Sequence, residues 1–136
     1  PIAKPMNLEQ TAQDVTCEKL TVLVVDDDPL IAMSTSMMVE DLGHEVIEVH
    51  SGSDALDVLR SGQNIDLLLT DFSMPKMNGA QLAEAAKQIR PGLPILIATG
   101  YAELSALSEL QIPRIRKPYE QEQLAEAVDE AIRTRG

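Results

Sequence analysis

Four aspartates, a threonine and a lysine are the residues of this chain whose types and positions could do chemistry together. Asp26, Asp27 and Asp28 follow an apolar run directly, in the stretch LTVLVVDDDPLI. Asp71 closes a second such run, Thr99 a third, and Lys117 a fourth. Adjacent carboxylates repel by roughly a kcal/mol or more. The cluster is therefore either a solvated strand end or a cup for a cation. Carboxylate oxygens are the hard ligands that magnesium and manganese prefer. Asp26, Asp27 and Asp71 together carry −3, which one divalent ion and Lys117 would balance. A carboxylate beside a divalent cation, an ammonium and a hydroxyl suits phosphoryl transfer, in which positive groups neutralise the oxygens of the moving phosphoryl. Asp71 is the expected nucleophile, since aspartate can form an acyl phosphate. Thr99 is placed to donate to a phosphoryl oxygen.

The elements that must bring these residues together follow from hydrophobic periodicity. Strands are expected at TVLVV (21–25), EVIEV (45–49), IDLLLT (65–70), PILIAT (94–99) and PRIR (113–116). Between them, helical spacing covers 29–43, 53–61, 79–90 and 120–134, with a shorter helix at 103–110. Asp28 suits the N-cap of the first helix, Pro29 its first position and Gly43 its end. That helix is expected to bury Leu30, Met33, Met37, Met38 and Leu42. Strands alternating with helices imply an α/β fold, a parallel sheet covered on both faces. Runs such as VLVV and LLL fit central strands, whereas EVIEV alternates like an edge strand. In such sheets the functional crevice lies at the carboxyl ends of the strands, where the acidic residues, Thr99 and Lys117 all fall.

Composition narrows the function. The chain has 136 residues, 44% hydrophobic but only 2% aromatic, and a net charge of −11. That charge argues against non-specific binding to nucleic acid or anionic membrane. No apolar run approaches the roughly 20 residues of a membrane span, and no signal peptide is read at the start. A single cysteine, Cys17, fits a reducing, cytoplasmic setting. Residues 1–18 carry two prolines and no period, and are read as an N-terminal extension or linker before a domain at 19–136. His44 and His50 flank the edge strand and are expected to be exposed.

Taken in order, VLVVDDDPL, LLLTDFSMPKMNG, ATG and RKP resemble the receiver domains of two-component response regulators and hybrid histidine kinases. The resemblance covers about residues 20–134. It implies a flavodoxin-like (CheY-like) three-layer sandwich, with five parallel strands in order 2-1-3-4-5 and about five helices. It implies that Asp71 is the phosphoacceptor, that Asp26 and Asp27 form the acidic metal-binding pair, and that the Ser73 carbonyl is a further ligand to magnesium, for which manganese could substitute. Thr99 and Lys117 match the family's hydroxyl and lysine, with Pro118 following in a cis peptide. The implied partner is a sensor histidine kinase or histidine phosphotransfer domain. Two copies are expected to pair through the face of the fourth helix, fifth strand and fifth helix.

Two departures bear on switching. Arg114 stands where receivers commonly carry the aromatic that swings inward, and Tyr101 follows Thr99 and Gly100. ATGY with a short fourth helix resembles a subset found in hybrid kinases and single-domain regulators, so Gly100, Tyr101 and Arg114 are read as switch and tuning positions. Neither Ser73 nor Tyr101 is an obvious base, which leads to an expected phosphorylated lifetime of minutes or longer. The rival readings are a haloacid-dehalogenase-like phosphohydrolase, a nucleotide-binding module and a pseudo-receiver used only for interaction. The first wants a second acid where Ser73 stands. The second lacks a glycine-rich phosphate loop after strand one. The third is at odds with the intact set of Asp26, Asp27, Asp71, Thr99 and Lys117. With no room expected for an output domain, the chain reads as a single-domain regulator or as the receiver of a hybrid histidine kinase.

Overall fold

Apolar runs of strand length form a five-stranded, all-parallel sheet whose carboxyl-terminal rim carries the acidic residues. The computed structural model describes residues 19–100 and 113–133. The expected extension at 1–18, Tyr101 and the short helix at 103–110 lie outside the described residues. The strands are β1 (Thr21–Val25), β2 (Glu45–Val49), β3 (Leu67–Asp71), β4 (Ile95–Thr99) and β5 (Arg114–Arg116). Their order across the sheet is β2-β1-β3-β4-β5, the order 2-1-3-4-5 implied by the resemblance. Four helices are described, α1 (Pro29–Asp41), α2 (Gly52–Arg60), α3 (Gly79–Ile89) and α4 (Gln121–Arg133).

The period of two along each central strand divides the core. Leu23, Val25, Leu68, Ile95 and Ile97 face one way and pack with Leu56 and Leu59 of α2 and Leu82 and Ala86 of α3. Val22, Val24, Leu67, Leu69 and Leu96 face the other way, against Val39 of α1 and Leu124 and Val128 of α4. The result is three layers, with β1, β3 and β4 buried on both sides. Ala55, Leu56 and Leu59 of α2 and Leu124 and Val128 of α4 are buried, and Ile132 of α4 is partly buried.

The first helix differs. Its buried positions are Ala32, Thr35, Ser36 and Val39, whereas Leu30, Met33 and Met37 are 72%, 50% and 57% exposed. Both sets have helical spacing, so periodicity alone could not choose between them. Hydroxyl chemistry chooses. The Thr35 hydroxyl bonds Tyr119 Oη at 2.7 Å, and the Ser36 hydroxyl donates to Glu48 Oε1 at 3.1 Å. Asp28 caps the helix as expected, accepting from the Leu30 N–H at 2.9 Å. At the far end, Gly43 takes φ +98°, the left-handed conformation that lets the chain leave the helix.

The amino-terminal rim of the sheet is closed by side chains. Asp66 was expected inside a strand. Instead its carboxylate accepts from the Thr21 N–H at 2.9 Å, and its own N–H donates to the Thr21 carbonyl at 2.8 Å. His44 was expected to be exposed but is partly buried, and its Nδ1 accepts from the Leu20 N–H at 3.1 Å. That bond requires an unprotonated Nδ1. Burial lowers the His44 pKa, so the folded state binds the proton less readily than the unfolded chain. The stability this histidine contributes is fully present above its unfolded pKa, and is lost as pH falls through the depressed folded value. Denaturant melts between about pH 7.5 and pH 5 should therefore show a steeper loss of stability in the wild type than in His44→Gln, which keeps an acceptor without titrating. Parallel curves would contradict this role.

Candidate functional site

Asp26, Asp71, Thr99 and Lys117 are each the terminus of a strand or its first neighbour, so the sheet itself sets their spacing. Backbone hydrogen bonds continue the ladders past the strand ends. The Asp26 N–H donates to the Val49 carbonyl at 3.3 Å, the Phe72 N–H to Ala98 at 2.9 Å, and the Lys117 N–H to Thr99 at 2.7 Å. Asp71 pairs in register with Ala98, next to Thr99. Carboxylate oxygens of Asp26, Asp27 and Asp71 all lie within 4.8 Å of one another. The Lys117 ammonium lies 2.5 Å from Asp71 Oδ1 and 3.6 Å from Asp26 Oδ2. The Lys117–Pro118 peptide is cis.

The electrostatics are those of charges held out of water. Asp26 and Asp71 are only 5% and 7% exposed, while Asp27 faces solvent. Burial raises the pKa of Asp26, against the opposing effects of the Asp28 N–H bonded to its Oδ1 at 2.9 Å and of Lys117. Burial likewise raises Asp71, with the Lys117 hydrogen bond and charge pulling the other way. Burial alone would lower Lys117, but Asp71 and Asp26 outweigh it and hold the ammonium above its ordinary range. Thr99 Oγ1 is fully buried at the same rim and has no hydrogen-bond partner among the described residues. An unpaired buried hydroxyl costs about 1–3 kcal/mol. Three clustered carboxylates with an opposing ammonium form a donor set that fits a hard divalent cation.

The remaining expected positions are spread more widely. Ser73 is exposed on the loop two residues beyond Asp71, Gly100 directly follows β4, and Arg114 opens β5 with an exposed side chain. Sequence reasoning passed over three contributors. Gly79 donates its N–H to the Phe72 carbonyl at 2.8 Å, and a Cβ there would lie 2.6 Å from the Asp71 carbonyl oxygen. Thr35 and Tyr119 bond each other behind the pocket. The signal for Tyr119 was its rarity, as one of two tyrosines in the chain and two residues beyond Lys117.

With the geometry in place, the comparisons decide the family. The model for the response regulator receiver domain matches residues 22–129. The chain belongs to that family. This receiver domain is 29% identical over 114 residues to the transcriptional regulatory protein GlrR of Escherichia coli, covering 81% of this chain and 26% of that protein. It is 32% identical over 101 residues to the autoinducer 1 sensor kinase/phosphatase LuxN of Vibrio campbellii, covering 72% and 12%. It is 28% identical over 137 residues to the sensor kinase CckA of Brucella abortus, covering 97% and 14%. The chain thus spans about a quarter or less of the curated relatives it matches. Among solved structures, a receiver domain protein from Clostridium thermocellum superposes with TM-score 0.77 at 28% identity, covering 84% of this chain and 94% of that one. One from Sinorhizobium medicae gives 0.76 at 30%, covering 88% and 98%. Membership makes the chain a phospho-accepting module of two-component signalling rather than an enzyme, and the phosphohydrolase reading falls away. No described helix is long and apolar enough to cross a membrane.

Two outcomes follow for the free domain. A raised Asp26 pKa means that its stabilising contribution is largest at low pH and is lost as pH rises through the raised value. Asp26→Asn, which keeps an acceptor for the Asp28 N–H, should therefore raise the metal-free thermal midpoint at neutral pH; a lower midpoint would count against a charge-strained pocket. Gly79→Ala forces a methyl against the Asp71–Phe72 backbone and should cost on the order of 1–3 kcal/mol in urea unfolding.

Proposed function

We propose that Asp71 accepts a phosphoryl group from the phosphohistidine of a sensor histidine kinase or histidine phosphotransfer domain. The observation that carries this reading is the meeting of three carboxylates within 4.8 Å with the Lys117 ammonium paired to Asp71. A carboxylate oxygen of Asp71 attacks phosphorus in line, and the phosphorus–nitrogen bond breaks with its electron pair leaving on the imidazole. Lys117 follows the charge from the carboxylate onto the phosphoryl oxygens, staying protonated throughout, as its raised pKa allows. Thr99, buried and without a partner among the described residues, gives its hydroxyl to one of those oxygens. Asp26, Asp27, Asp71 and the Ser73 carbonyl would hold magnesium, or manganese in its place. The ion supplies the positive charge that offsets both the acidic pocket and the transferring phosphoryl.

The same reading extends to switching and partners. ATGY at 98–101 resembles the subset found in hybrid-kinase and single-domain receivers, with Gly100, Tyr101 and Arg114 tuning the response in place of an inward-swinging aromatic. The adduct lasts minutes or longer. Pairing of two copies uses β5 and α4, together with residues 101–112, which lie outside the described residues. The net charge of −11 supports a protein partner rather than nucleic acid or membrane, in a cytoplasmic setting.

Acetyl phosphate with magnesium tests the proposal directly. Intact mass should show the wild type gaining one phosphoryl group. Asp71→Asn should gain none, chelation of the metal should abolish labelling, and Asp26→Asn should slow it at least about tenfold, the scale of lost metal affinity. Equal labelling of Asp71→Asn would refute the assignment.

A further inference from the structure

The turn Lys117–Pro118–Tyr119 is fastened at both ends. At one end the Lys117 N–H extends the β4–β5 ladder to the Thr99 carbonyl. At the other, the Tyr119 ring packs against the core cluster of α1 and α4, and its hydroxyl bonds Thr35, a residue only 4% exposed on α1. This pair also borders the acidic pocket. A cavity of about 10 Å³ is lined by Asp26 and Asp71 together with Thr35 and Tyr119. Ring packing alone fixes where the tyrosine sits in depth, but it leaves rotation of the turn about the ring comparatively free. A directional bond to a helix that is itself capped by Asp28 removes that freedom.

We infer that the Tyr119–Thr35 hydroxyl pair is a positioning element for Lys117, holding the turn so that the ammonium meets Asp71 and Asp26 at once. Neither hydroxyl touches the phosphoryl group; both act through the lysine. The inference rests on the reading of Asp71 as phosphoacceptor, and it predicts an effect on the transfer step rather than on capture of the phosphodonor. Sub-ångström placement of such a charge matters because its contribution is greatest where developing charge appears.

Labelling by acetyl phosphate in magnesium, with initial rates taken across donor concentrations, separates the possibilities. Tyr119→Phe and Thr35→Val should each lower the maximal rate roughly fivefold, the scale of one neutral hydrogen bond, while the apparent KM stays within about twofold. The double variant should be no slower than either single one, because both remove the same bond. Thr35→Ser, which keeps a hydroxyl, should restore most of the rate. Wild-type rates in both single variants, additive losses in the double variant, or losses that merely track unfolding in thermal melts would each overturn the inference. If the wild type itself gained no phosphoryl group, the phosphoacceptor reading would fail and this inference with it. Labelled wild type with unaffected variants would sink the inference alone.

Discussion

Asp26 and Asp71 sit at the ends of adjacent central strands, covered by helices on both faces of the sheet and 5% and 7% exposed. Charges buried in this way oppose folding. Two unit charges about 4 Å apart interact by about 4 kcal/mol at an effective dielectric near 20, a large fraction of the 5–15 kcal/mol that holds a typical domain together. The pocket tolerates this because Lys117 faces both carboxylates and because burial drives them toward protonation. Compensation is partial. The raised pKa values come first from burial and only then from the neighbouring carboxylates, and Lys117 does not cancel them; additional positive charge would lower the free energy of the ionised pocket. Affinity for a cation and readiness to pass charge onto a phosphoryl group are then two expressions of one imbalance.

Such an imbalance is useful only if the charged groups cannot move apart to relieve it. The ladder bonds at the rim prevent that. Asp26, Phe72 and Lys117 each donate a backbone N–H to the neighbouring strand just beyond its regular pairing. The site residues therefore inherit the rigidity of the sheet rather than the freedom of loops. Gly79 completes the arrangement from the third layer, since only a residue without a side chain lets α3 approach the Asp71–Phe72 backbone this closely. Asn78 and Gln81 cap that helix reciprocally at 2.8 and 3.0 Å, which fixes the approach.

Much of this was legible in the sequence because burial on two faces leaves a strong mark. VLVV, LLL and ILIA could be nothing but central strands in an alternating α/β pattern, and once they were parallel, Asp26, Asp71, Thr99 and Lys117 had to share a rim. What stayed hidden depended on partners distant in sequence. Asp66 looked like a strand residue because its bond to Thr21 spans 45 positions. His44 looked like a surface histidine because its acceptor role toward Leu20 depends on how β1 and β2 enter the sheet. The Tyr119–Thr35 bond joins residues 84 apart and leaves no local pattern at all.

The first helix shows the limit most clearly. Leu30, Met33 and Met37 repeat at one helical spacing, and Ala32, Thr35, Ser36 and Val39 at another about two-fifths of a turn away. Hydrophobicity favours burying the first set, yet the second is inside. Turning the helix to cover the methionines would drive bulky side chains against the sheet where Ala32 now permits close packing. It would also leave Tyr119 without Thr35 and Glu48 without Ser36. A hydrogen bond contributes about 0.5–1.5 kcal/mol net, so the two together are comparable with the 1.5–3 kcal/mol that fully burying one large apolar side chain contributes. Small residues and two hydroxyls thus outcompete a stripe of larger apolar ones. The face that wins is the one that ties α1 both to the edge strand and to the turn carrying Lys117.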